Sequence, residues 1–127
     1  MEANELRIGN YVYWNIPEKL NVLHKVVGIR NGRPQTIPIS LGDSIENYKP
    51  IPLTEDILLK CGYKVYKDSM FCGIIGPLGF VKDEGKYFLC TQDDTGYILD
   101  DAVQIESLHQ LQNLYFALTG NELTVNL

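Results

Sequence analysis

Apolar and polar positions alternate along the first third of the chain, which predicts strands rather than helices. Leu6 to Trp14 reads as a first strand, bent at Gly9-Asn10 before Tyr-Val-Tyr-Trp, and Val22 to Ile29 as a second. Asn31-Gly32 is a two-residue hairpin signal, because both positions tolerate the positive φ that a type I′ turn demands. It leads to a third strand around Thr36 to Ile39, which Pro34 and Pro38 should keep short or at a sheet edge. Residues 42–52 read as a connection. Thr54 then caps a short helix with Glu55 and Asp56 in its first turn and Gly62 at its end. Alternation returns from Tyr63 to Met70. Lys86 to Cys90 and Gly96 to Leu99 read as a hairpin across Gln92 to Thr95, and Val103 to Ile105 as a last short strand.

The period changes to that of a helix between Ser107 and Thr119. Ser107 and Gln110 form a Ser-x-x-Gln capping box, and Gly120 stands where a left-handed C-terminal cap is wanted. Leu108, Leu111, Leu114, Tyr115 and Leu118 share one stripe, which predicts a helix packed on the rest of the fold. Leu123, Val125 and Leu127 alternate after it, as an added edge strand would. The pattern is α+β: a small antiparallel sheet, compatible with an SH3-like barrel, packed with one short and one longer C-terminal helix.

Composition narrows the class. The chain has 127 residues with 45% hydrophobic and 21% charged, the profile of one globular domain over 1–127. No apolar run is long enough to span a membrane, and the acidic start lacks the apolar core of a signal peptide. Three widely spaced cysteines, Cys61, Cys72 and Cys90, suit a reducing cytoplasm. The net charge of −5 disfavours non-specific nucleic-acid binding, which is mostly phosphate neutralisation. Residues 1–40 nevertheless balance to +2 against −7 for the remainder.

No motif in the chain carries a recognisable chemistry. Gly73, Gly76 and Gly79 lead to apparent strand and not to a helix N-terminus, so they read as a flexible loop and not a phosphate cradle. Asp93, Asp94, Asp100 and Asp101 lack the spacing of a calcium loop, and no zinc spacing or nucleophile elbow occurs. The expectation is a non-enzyme with no metal and no cofactor. Both faces of the strands are apolar at Tyr11 to Trp14 and Tyr87 to Cys90, which predicts a homo-oligomer.

Two surfaces stand out as binding candidates. On the long helix, Phe116 lies about 80° beyond the apolar stripe and shares its face with His109, Gln112 and Asn113. That combination suits a partner-recognition surface. In the basic third of the chain, Arg7, Arg30 and Arg33 with Trp14 supply donors and a stacking platform for a small anionic, nucleotide-type ligand.

Three blocks of the chain carry a resemblance. Leu-Arg-Ile-Gly-Asn-Tyr-Val from Leu6, Pro-Ile-Pro-Leu-Thr-Glu-Asp from Pro50, and the run from His109 to Thr124 are similar to a family of small uncharacterised proteins of Bacteroidetes genomes and their phages. The resemblance implies a phage or mobile-element context and supplies no activity and no catalytic residue. The function expected is thus a non-catalytic binding or interaction module. The alternatives are an accessory protein sequestering an anionic ligand and a small hydrolase.

Overall fold

A computed structural model describes residues 1, 3–37, 40, 41, 45–65, 72–90 and 103–127. The expected strand at Gly96–Leu99 with its turn, the alternation from Tyr66 to Met70, Pro38, and the aspartates at 93, 94, 100 and 101 lie outside those residues. The fold is α+β, with two antiparallel sheets and two α-helices among the described residues. The described residues gather into two compact units. The first holds Met1–Pro52 and Ser107–Asn113, the second Leu53–Glu106 and Leu114–Leu127.

In the first unit, β1 (Tyr11–Ile16), β2 (Lys19–Arg30), β3 (Arg33–Ile37), β4 (Ser40–Leu41) and β5 (Tyr48–Lys49) form a sheet of order β4-β3-β2-β1-β5. The hairpin at Asn31-Gly32 forms as expected, with φ of 53° and 71° at the two turn residues. Among the described residues the sheet does not close into a barrel, since β4 and β5 are its two edges. β3 is short, at five residues, but does not lie at an edge. β4 pairs only with Gln35 and Thr36, so the missing N–H of Pro34 removes no bond from that ladder. The connection over 42–52 contains β5, which pairs with Tyr13 and Trp14. Leu6, Val12, Val26 and Tyr48 form the core of this unit, with Met1, Trp14 and Ile45 packed against it.

In the second unit, β6 (Lys64–Val65), β7 (Cys72–Ile75), β8 (Leu78–Asp83), β9 (Lys86–Cys90) and β10 (Val103–Ile105) form a sheet of order β10-β9-β8-β7-β6. Glu84-Gly85, at φ of 50° and 76°, is the two-residue turn between β8 and β9. The glycine-rich run is therefore a hairpin and not a flexible loop: Gly73 and Gly79 lie inside strands and Gly76 in the turn. Gly73 is bare because the Tyr63 ring lies where a Cβ would stand. That ring then meets Phe80 edge to face at 6.4 Å. Ile75, Leu78, Phe80, Tyr87 and Ile105 are buried on this side of the sheet.

Helix α1 spans Glu55–Lys60, and the Thr54 side chain accepts from Ile57 N at 3.2 Å. Helix α2 spans Leu108–Thr119. Ser107 Oγ accepts from Gln110 N at 3.4 Å, and Gly120 ends the helix at φ 74°. Leu108 and Leu111 are buried, while Leu118 is exposed at the far end of the stripe. The C-terminal residues add no strand among the described residues. Leu123 is buried, and Asn126 N donates to Lys60 O at 2.8 Å.

Candidate functional site

The helix residues singled out for recognition divide by burial. Phe116 is 40% exposed, but His109 and Gln112 retain only 4% and 2% of their surface. The amides hold the N-terminal segment. Gln112 Oε1 accepts from Tyr11 N at 2.9 Å, and its Nε2 donates to Gly9 O at 3.0 Å. Asn113 Oδ1 accepts from Asn10 Nδ2 at 2.9 Å and from an Arg7 guanidinium nitrogen at 3.1 Å, and its Nδ2 donates to Glu5 O at 2.7 Å. Asn10 Oδ1 accepts from Arg7 N at 2.7 Å. His109 Nδ1 lies 3.3 Å from Ser107 Oγ, and burial lowers its pKa. Leu108 N donates to Ile51 O at 2.9 Å, and Pro52 bridges Ser107. Arg7, Gly9, Asn10 and Tyr11 thus meet Gln112 and Asn113 in the first unit as a polar lattice that fixes backbone, and Ile51 and Pro52 pair with the two residues just before His109. The structure gives His109, Gln112 and Asn113 a framework role and leaves Phe116 alone of the four exposed.

The structure does not gather Arg7, Trp14, Arg30 and Arg33 at one place. Arg7 is engaged with Asn113. Trp14 turns to the inner side of the sheet and stacks on buried His24, with ring centroids 5.1 Å apart and 20° between planes. His24 Nδ1 lies 2.7 Å from Thr36 Oγ1, which lies 3.4 Å from the Tyr48 hydroxyl. This buried polar chain satisfies itself inside the core. Trp14 pairs with Val22, eight residues along β2 from Arg30. At a rise of about 3.3 Å per residue that is roughly 26 Å.

A different surface emerges from the register. Buried Val12, His24, Val26, Thr36 and Tyr48 point inward, so the alternate positions point outward. Tyr11 pairs with Lys25, and Lys25 with Ile37. Tyr13 pairs with Leu23 on one side and Lys49 on the other. Arg33, Gln35 and Ile37 alternate with buried Pro34 and Thr36, and Arg30 faces Arg33 across the hairpin. The outer face therefore carries Tyr11, Tyr13, Lys25, Lys49, Arg30 and Arg33 among Leu23, Gln35 and Ile37. It is open: Ile37 is 50% and Leu23 37% exposed, and both tyrosines are half-buried. Lys25 Nζ stands 5.7 Å from the centre of the Tyr11 ring, a cation–π distance.

The charge on this sheet is one-sided. Its five strands contain Lys19, Lys25, Arg30, Arg33 and Lys49 and no aspartate or glutamate. Sequence reasoning found Arg30 and Arg33 but missed Tyr11, Tyr13, Lys25 and Lys49. Their alternation was visible; which parity faced outward was not, because Tyr11 and Tyr13 interleave with the equally apolar Val12 and Trp14. Among the described residues no group of three histidine, cysteine or acidic side chains is placed to hold a metal ion. No described helix is long and apolar enough to cross a membrane.

Comparison with protein-family models, with curated proteins and with solved structures finds no match to this chain.

Proposed function

We propose that this chain is a non-catalytic binding module that takes an anionic ligand on the outer face of its first sheet. One observation carries the reading. A chain of net charge −5 has five cations and no acid in the strands of that sheet. Segregation of this kind makes one surface locally positive and raises the concentration of anions there. Arg30 and Arg33 remain donors in this reading, for a ligand long enough to reach from the tyrosines to the hairpin tip. Lys25 and Lys49 take the place of Arg7, and Tyr11 and Tyr13 take the stacking role of Trp14. The module would act in a cytoplasm, and the resemblance of its three sequence blocks supports a phage or mobile-element context.

A thermal-shift series over inorganic polyphosphate and nucleoside mono-, di- and triphosphates tests this. A ligand at about a hundred times its dissociation constant stabilises by about 2.7 kcal/mol. The double charge reversal Lys25→Glu, Lys49→Glu should abolish the shift. If every anion leaves the parent melting curve unmoved, or shifts the reversed variant equally, the reading fails.

A second reading is a homo-oligomer. Leu23, Val27 and Ile37 are exposed on the first sheet, and such side chains suit burial against another copy. Light scattering at tens of micromolar distinguishes a monomer from a dimer.

A further inference from the structure

We infer that the ligand of this face is single-stranded nucleic acid, its bases stacked on Tyr11 and Tyr13 and its phosphates held by Lys25, Lys49, Arg30 and Arg33. The inference rests on the proposed anion-binding face and adds the polymer and its mode of binding.

Three features favour a strand over a lone phosphate. The first is the pair of rings. Tyr11 and Tyr13 are two residues apart on one strand, so they stand side by side on the same face at about 6.6 Å. Two adjacent aromatic rings on an open sheet form a platform for successive unstacked bases, as in many single-strand readers. The second is the placing of the cations. Lys25 lies directly across from Tyr11 and Lys49 directly across from Tyr13. Each ring thus has a cation beside it, on opposite sides of β1, where the phosphates flanking a stacked base would lie. The third is extent. From the row of Tyr13 to Arg33 at the hairpin tip the face runs about 20 Å. That length exceeds a mononucleotide and fits the lower end of the 4–16 nucleotides a small sheet domain covers.

A duplex suits the face less well. Its bases are stacked inside and offer the tyrosines no flat surface. The net charge of −5 weighs against non-specific binding of single strands as well as duplexes. What offsets it on this face is the local excess of cations and base stacking, which does not depend on net charge. The exposed aliphatic side chains Leu23 and Ile37 sit beside the rings and can pack on bases or sugars without demanding a sequence.

Fluorescence anisotropy with labelled oligothymidylate and oligouridylate of about 12 nucleotides tests the inference. A duplex of equal length and free inorganic polyphosphate serve as competitors. Saturable binding to the single strands is expected, with weaker competition by duplex. Tyr13→Ala and Tyr11→Ala should each weaken binding about tenfold, and Tyr13→Phe should restore it. Lys25→Gln and Lys49→Gln should each make the salt dependence shallower by about 0.7 in log K against log salt. Arg30→Gln with Arg33→Gln, at the hairpin tip away from the core, should weaken binding without touching the tyrosines. Each variant must melt as the parent does.

Absence of saturable single-strand binding overturns the inference, as does a Tyr13→Ala protein that folds and binds as the parent. Polyphosphate or nucleotides that still shift the parent melting curve, and not that of Lys25→Glu, Lys49→Glu, would then leave the anion-binding face intact and remove only the nucleic acid. Dimerisation lost in Tyr13→Asp, together with no oligonucleotide binding, would instead assign the face to a second copy.

Discussion

Asn113 and Asn10, 103 positions apart, share a side-chain hydrogen bond of 2.9 Å that ties the first turn of the chain to its last helix. The same Asn113 oxygen accepts from Arg7, and the Asn113 amide donates to Glu5 O. Asn113→Ala removes three bonds at once and leaves the Asn10 amide without this partner. Each polar group so stranded costs about 1–3 kcal/mol when buried, so we expect a loss of about 2–4 kcal/mol. Gln112→Leu, which frees Gly9 O and Tyr11 N, should cost a similar amount. Urea denaturation with an unchanged m-value checks both. If either change is neutral, the lattice does not hold the segment.

Phe116→Ala should be mild. The side chain is 40% exposed and buries only part of its ring, so its truncation should cost about 1–2 kcal/mol. Leu111→Ala, on the same helix and fully buried, should cost about 2–5 kcal/mol. Ser107→Ala should cost about 1 kcal/mol through the lost cap. Chemical denaturation that ranks Phe116 with Leu111 would contradict the exposed placement.

Gly73→Ala should be strongly destabilising, because the new methyl falls on the Tyr63 ring. Overpacking of this sort costs about 1–3 kcal/mol. Tyr63→Ala vacates the space at the expense of its own packing, so the double variant should be more stable than additivity predicts. Strictly additive losses would place the strain elsewhere.

Burial raises the Cys61 thiol to a pKa of about 11. The thiolate is the reactive form, so at neutral pH this cysteine should be inert to alkylation in the native protein. It should react once denaturant is added. Peptide mapping after brief iodoacetamide treatment reads the difference, and rapid native labelling at Cys61 would show that its helix end is open.

His109 gives a pH dependence with a defined sign. Burial holds its pKa below the ordinary 6.5, with Glu5 opposing and the N-terminal amine reinforcing. The unfolded chain therefore takes up a proton near 6.5 while the native state resists until lower pH. The contribution of His109 is complete above about 6.5 and declines as pH falls through that value. The denaturation midpoint should drop between about pH 7.5 and 5.5, and His109→Gln should flatten the drop. A midpoint that falls equally in both proteins would assign the effect to other groups.

Local chemistry was enough for the elements whose cause lies within a few residues. Asn31-Gly32 takes positive φ at both positions because those residue types tolerate it, and the hairpin follows. Thr54 and Ser107 supply hydroxyls where a helix start has unpaired N–H groups. The period of Leu108, Leu111 and Leu114 fixes a helix wherever it docks.

What lies across space could not be read this way. β5 is two residues long, too short to carry a pattern, and exists through its pairing with β1. The glycines at 73 and 79 read as looseness, but Gly73 lacks a side chain because a tyrosine ring from outside its hairpin lies on it. Gln112 and Asn113 fell off the apolar stripe and so read as a surface. A helical wheel shows which side chains leave the stripe, and not which backbone amides wait opposite them. The outer sheet face was hidden for a related reason. Strand alternation divides Tyr11 and Tyr13 from Val12 and Trp14 without saying which pair meets the core, and only the strand pairing put Lys25 and Lys49 beside the two tyrosines, with Arg30 and Arg33 farther along the same face.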